Sequence, residues 1–182
     1  VILSSTGALE LKKIPKKMIV VGAGVIGLEM GSIYSRLGTE VTVLEYFDKV
    51  LNGMDHDISK NFKAILQKQG FKFHLNCSVS MIAKEKKGVK VTFQARESDE
   101  TSDLSADVVL VATGRKPLTK GLNLENIGVE LNPKGQIETD SNWRTIAKNI
   151  FAIGDVTAGP MLAHKAEEEG IAVAEIIAGQ AG

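Results

Sequence analysis

The stretch MIVVGAGVIGLEMG, Met18 to Gly31, constrains this chain more than any other. A short apolar run enters three glycines at the spacing G-x-G-x-x-G, and apolar residues then recur at helical spacing through Val25, Ile26, Met30, Ile33, Tyr34 and Leu37, with Gly38 as the stop. A run of that kind reads as a buried parallel strand, and the 3.6-residue period after it as a helix. VTVLE, Val41 to Glu45, is the next strand, and Asp55 and Asp57 head a second amphipathic pattern (Ile58, Phe62, Ile65, Leu66) closed by Gly70. Phe71 to Leu75 alternates with period two and reads as a third strand. The order is βαβαβ with short loops.

The glycines have separate physical uses. Gly22 permits a tight turn out of the strand, Gly24 leaves the backbone open to a pyrophosphate, and Gly27 lets the helix lie close to the strand. The helix N-terminus then turns unpaired N–H groups and a partial positive charge toward the phosphates. The motif is informative because it follows a strand, opens a helix and sits in a βαβ unit. Glu45 follows Gly24 by 21 positions at the end of the next strand. A carboxylate there accepts hydrogen bonds from an adenosine ribose and repels a 2′-phosphate. With no arginine in YFDKVLNG, though Lys49 is nearby, the reading is NAD rather than NADP. Glu29, on the first turns of the helix, complements its dipole.

Beyond Leu75 the pattern changes. Val79 to Ala83 and Val89 to Phe93 flank KEKKG, a hairpin tip; Ala95 to Asp103 reads as a polar turn, and Ala106 to Gly114 as an apolar strand ending in glycine. The expected fold is α/β: a three-layer, doubly wound, Rossmann-like domain with an inserted antiparallel β-meander. A boundary near Gly114 separates residues 17–114 from 115–182, with 1–16 as a tail or linker. In the second part, Val129 and Leu131 oppose Ile137 and Thr139 around Asn-Pro-Lys-Gly, Asn149 to Val156 reads as a buried strand running into a Gly-Asp turn, and a helix follows from Met161. Asp155 by itself reads as a turn residue.

Bulk properties exclude several classes. Lys+Arg and Asp+Glu are equal at 22, which argues against a nucleic-acid-binding surface or a polybasic membrane patch. A single cysteine, Cys77, excludes an internal disulfide and a multi-cysteine metal site, and reads as a small residue at a strand end. No apolar run approaches membrane-spanning length. The opening VILSSTGALELKK is not a secretory signal and reads as mid-strand, as in a piece of a longer chain.

Four stretches, STGAL, GAGVIGLE, ATGRKP and FAIGDVTAGPMLAHKAEEEG, together with ISKNFKAILQKQGFKF, resemble the flavoprotein disulfide reductases over essentially the whole chain, and among them the dihydrolipoamide dehydrogenases. The resemblance implies NAD and FAD as cofactors. It implies a reaction in which dihydrolipoamide on a lipoyl carrier of a 2-oxo-acid dehydrogenase complex reduces an enzyme disulfide, with electrons passing through FAD to NAD⁺. By position it implies a dinucleotide site at Gly22, Ala23, Gly24, Val25, Ile26, Gly27, Leu28 and Glu29, with Glu45 on the ribose, Val79 by the adenine end and Gly114 near the nicotinamide. It places Asp155 on the flavin's ribityl chain, and the backbone of Met161, Leu162, Ala163 and His164 against the flavin, with residues 115–182 as the return segment of the FAD-side central domain. The family's paired cysteines, first flavin-binding turn and C-terminal interface domain have no counterpart here. A single thiol cannot cycle through an intrachain disulfide, so this stretch is expected to be inactive alone. A homodimeric parent in the mitochondrial matrix, or in a bacterial cytoplasm, is implied. Another NAD-dependent member of the family, or a non-catalytic dinucleotide-binding module, are the alternatives.

Overall fold

A computed structural model describes residues 1–180 as two compact units, one ending at Gly114 and one beginning at Arg115. In chain order the first unit comprises β1 (Ile2–Leu3), α1 (Ser5–Leu9), β2 (Lys17–Val21), α2 (Val25–Arg36), β3 (Glu40–Leu44), α3 (His56–Lys68), β4 (Lys72–His74), β5 (Cys77–Lys84), β6 (Val89–Ala95), β7 (Thr101–Ala106) and β8 (Val108–Val111). Five strands form a parallel sheet in the order β1-β8-β2-β3-β4, and β5-β6-β7 form a separate antiparallel sheet.

Strand alternation sorts side chains onto two cores. From the parallel strands, Met18, Val20, Val41, Val43, Val108 and Leu110 pack with Leu28, Met30 and Tyr34 of α2, Leu66 of α3 and Ala8 of α1. Ile19, Val21, Leu44 and Val109 face the other way, onto Cys77, Val89, Val91, Phe93 and Ala106 of the antiparallel sheet. The three layers are therefore helices, parallel sheet and meander. The second face of the parallel sheet is closed by the meander rather than by more helices. Asp55 caps α3 as its sequence implies, its carboxylate accepting from the N–H of Asp57 and Ile58. The segment 1–16 packs into this unit: β1 pairs with β8, and Ala8 is fully buried.

One stretch differs from its expected form. Of the residues expected as a polar turn, Ala95 to Asp103, those at 96–100 do turn, but Thr101 to Asp103 together with Leu104 to Ala106 supply a third meander strand, β7. The chain then crosses to the parallel sheet at Asp107, whose carboxylate accepts from the N–H of Lys16 and Lys17 at 2.8 and 2.9 Å. TSDLSA is polar because only Leu104 and Ala106 turn inward.

The second unit has little regular structure. Val129, Ile137 and Ala152 form its small core, Leu131 bridges Ile137 as the Asn-Pro-Lys-Gly turn requires, and α4 spans Ala163–Ile177. The strand expected at Asn149 to Val156 is absent: Phe151 makes one bridge to Arg144, and Gly154–Val156 is a 3-10 turn. An apolar run becomes a strand only with a neighbour to pair it along its length. Here the pairing is limited to one short antiparallel contact, in which the Thr145 N–H donates to the Ile150 carbonyl oxygen and the Ala152 N–H to the Trp143 carbonyl oxygen.

Candidate dinucleotide site

The parallel sheet reverses its strand order at β2, with β3 on one side and β8 on the other. Ligands in open α/β sheets bind outside the carboxyl ends of the strands at such a point. A cavity of about 560 Å³ lies there, bounded by the ends of β2 (Val21, Gly22, Gly24), β3 (Leu44, Glu45) and β8 (Ala112, Thr113, Gly114) and the start of β5 (Cys77, Ser78, Val79).

The glycine turn is built to tolerances that can be read atom by atom. Gly22 has φ +103°, and a Cβ on it would meet the Ala112 carbonyl oxygen at 2.5 Å. A Cβ on Gly27 would lie 2.2 Å from the Gly22 carbonyl oxygen and 3.0 Å from Val20 Cγ1, so α2 approaches β2 as closely as it does only with glycine there. A Cβ on Gly24 would meet nothing within 4 Å. The space beside Gly24 is open, as a bound pyrophosphate requires. Gly24 is also the N-cap of α2, and no side chain caps that end. The cavity and the uncapped helix end fit a dinucleotide phosphate.

Glu45 is only 8% exposed. Its carboxylate accepts from the Ala23 N–H at 2.5 Å and the Phe47 N–H at 2.9 Å, tying the end of β3 to the glycine turn. A carboxylate has about four lone-pair positions. Two are taken by these backbone donors, which leaves about two open. Val25, Ile26 and Glu29 are exposed on the first turns of α2. Leu28 points into the core, and its N–H donates to the Gly24 carbonyl oxygen, so its place is structural. Tyr46 and Phe47, an edge-to-face pair, line the cavity with Asn52, and the Arg96 guanidinium lies 4.3 Å from the Tyr46 ring centre. Sequence reasoning passed over these residues; their place just after the strand that ends at Glu45 was the available signal. Cys77 lines the cavity as a buried thiol, and burial raises its pKa, with the Glu45 charge adding to the rise.

In the second unit, Asp155, Met161, Leu162, Ala163 and His164 surround the head of α4, which no side chain caps. Arg115 joins them: its guanidinium lies 3.3 Å from the Asp155 carboxylate and donates to the Met161 carbonyl oxygen. Behind the turn, Glu169 accepts from the Gly154 N–H at 2.7 Å and pairs with Lys165 at 2.7 Å. Among the described residues there is no cluster of three or more potential metal ligands, and no helix long and apolar enough to cross a membrane.

The family model for pyridine nucleotide-disulphide oxidoreductases matches residues 1–170. The chain belongs to that family. Among curated members it is 53% identical, over 99% of its length, to the mitochondrial dihydrolipoyl dehydrogenases of Homo sapiens and Rattus norvegicus. It spans 36% of the length of each. Two solved members of the family have the same fold. The HOCl-induced flavoprotein disulfide reductase RclA from Escherichia coli superposes with a TM-score of 0.88 at 34% identity, covering 98% of this chain and 40% of that one. LpdA from Mycobacterium tuberculosis superposes at 0.89 with 29% identity, covering 98% and 38%.

Proposed function

We propose that this chain is the NAD-holding portion of a dihydrolipoamide-oxidising flavoenzyme. The observation that carries the reading is the cavity where β2, β3 and β8 end, with an uncapped helix N-terminus and a buried acceptor carboxylate on its wall. The N–H groups of Val25, Ile26 and Gly27 would hold the pyrophosphate, and Glu45 the adenosine ribose, excluding a 2′-phosphate by charge repulsion. Tyr46, Phe47, Ser78 and Val79 would enclose the adenine end, and Gly114 and Glu29 the nicotinamide end. Bound there, NAD⁺ supplies the hydride acceptor of the reaction. Asp155 and the backbone of Met161 through His164 would face the flavin, with Arg115 holding Asp155 in place from the side. These residues bind and orient; none of them moves a proton or attacks a substrate. Cys77, a lone buried thiol, takes no part in dithiol exchange, so the 182-residue chain alone would not oxidise dihydrolipoamide.

As part of a longer protein it would serve a 2-oxo-acid dehydrogenase complex through dihydrolipoamide on a lipoyl domain, as a homodimer in the mitochondrial matrix. Identity of 53% to dihydrolipoyl dehydrogenases, against 34% to the HOCl-induced reductase, supports this substrate over the alternatives within the family. The test is a pair of titrations of the chain with NADH and NADPH, followed by nicotinamide fluorescence. Saturable binding that favours NADH supports the assignment. Equal affinities, or none, overturn it.

A further inference from the structure

Tyr46 and Phe47 stand half out of the protein, 50% and 44% exposed, yet both line the cavity at the ends of β2, β3 and β8. An exposed aromatic side chain on a loop has several rotamers open to it, and fixing one of them on binding costs free energy. Two features hold this loop in advance. The main chain is fastened to the meander: the Asn76 N–H donates to the Phe47 carbonyl oxygen at 3.0 Å, and the Arg96 N–H to the Asn76 carbonyl oxygen at 2.7 Å. Asn76 reaches both from the left-handed region, at φ +53°, which asparagine tolerates better than most residues. The Tyr46 ring is held as well, with the Arg96 guanidinium 4.3 Å from its centre and Phe47 edge-on at 5.4 Å. Arg96 is not on the cavity wall, so it backs the ring rather than filling the space in front of it. Its guanidinium is in no ion pair among the described residues, which leaves its charge to the ring.

We infer that Arg96 is a positioning residue of the candidate dinucleotide site, holding the Tyr46 ring ready to stack on the adenine base. The inference rests on the reading of the cavity given above, and adds to it a residue that the sequence places far from the glycine turn, just past the end of β6. A cation over one face of an aromatic ring is attracted by its quadrupole, and a base stacks on the other face. The guanidinium therefore fixes the ring before the ligand arrives, and binding is spared the ordering of that side chain.

The experiment titrates the 182-residue chain with NADH, read by nicotinamide fluorescence, and with ADP-ribose, read in the ring resonances of ¹³C-labelled tyrosine. The chain has two tyrosines, and Tyr34, buried in the core, is the internal reference. Arg96→Ala should weaken NADH binding by about two- to fivefold, the worth of a cation–π contact at an exposed site, with the urea midpoint unchanged. Tyr46→Leu should weaken it by about tenfold, and adding Arg96→Ala to that variant should change nothing further. ADP-ribose should shift the Tyr46 ring resonances and leave those of Tyr34 in place. Full affinity in Arg96→Ala, unshifted Tyr46 resonances, or the same loss from Arg96→Ala whether or not Tyr46 is present would overturn the proposal, the last because it marks a general effect of charge. In each of these cases NADH binding by the parent chain leaves the dinucleotide reading standing. A parent that binds no NADH removes both.

Discussion

Gly24 and Gly27 stand three residues apart on one turn, yet alanine at each should fail in opposite ways. At Gly27 the added methyl is driven to 2.2 Å from the Gly22 carbonyl oxygen. That oxygen cannot retreat easily, because Gly22 lies so near the Ala112 carbonyl that even a Cβ on it would fall 2.5 Å from the oxygen. Overpacking of this kind costs about 1–3 kcal/mol, and more where backbone must move. Alanine's better helix propensity returns at most about 1 kcal/mol. The net loss should be about 2 kcal/mol, which at ordinary urea m-values lowers the midpoint by about 1 M. At Gly24 the methyl meets nothing within 4 Å, and the backbone, at φ −77° and ψ 178°, is open to any residue. A slightly poorer N-cap and a less flexible unfolded chain nearly cancel, so Gly24→Ala should stay within about 0.5 kcal/mol of the parent. Its methyl occupies the approach to the helix N–H groups, however, and NADH affinity should fall by about tenfold or more. The assay is urea unfolding followed by far-UV circular dichroism, paired with NADH fluorescence titration. The one tryptophan, Trp143, lies in the second unit, so its emission shows whether the loss is confined to the first. Equal destabilisation by the two variants, or undiminished NADH binding by Gly24→Ala, would refute the reasoning.

Other outcomes follow from the same geometry. Glu45→Ala strips the buried Ala23 N–H and the part-buried Phe47 N–H of their acceptor and should cost about 1–3 kcal/mol, so its loss of NADH binding must be read beside its unfolding curve. For Glu169, burial works to raise the pKa, but Lys165, the Gly154 N–H and the Trp143 side chain outweigh it and hold the value below the ordinary 4.5. That stability is fully present above the unfolded value and is lost as pH falls through the lowered folded one; Trp143 fluorescence against pH should show it, and Glu169→Gln should remove it. Cys77 should react with iodoacetamide at pH 8 about tenfold more slowly than a free thiol, and saturating NADH should slow it further.

What could be read from the sequence was what is local. The roles of Gly22, Gly24 and Gly27 depend on neighbours a few positions away, and Asp55 caps the helix it precedes. The cavity wall was not local: Tyr46, Ser78 and Thr113 meet only because the sheet brings 44–47, 77–79 and 112–114 together. Glu45 was legible as an acceptor by its distance from Gly24, but its bond to the Ala23 N–H is a tertiary fact with no sequence signature. β7 was hidden because four of its six residues are serine, threonine or aspartate, so nothing in TSDLSA distinguishes a strand from a turn. Asn149 to Val156 misled in the opposite sense, being apolar enough for a strand but paired only over one short bridge.

The pairing of Ile2 and Leu3 with Val109 and Leu110 has a practical meaning. Without those two residues, β8 would present VVLV at the border of the sheet with its backbone groups unpaired, a template onto which a second chain can add. The opening residues thus act as a selvedge, keeping the woven sheet from being extended by strangers. A shortened version starting at Met18 would keep the whole glycine turn and still be prone to self-association, so the boundary that preserves the candidate dinucleotide site is not the boundary that preserves solubility.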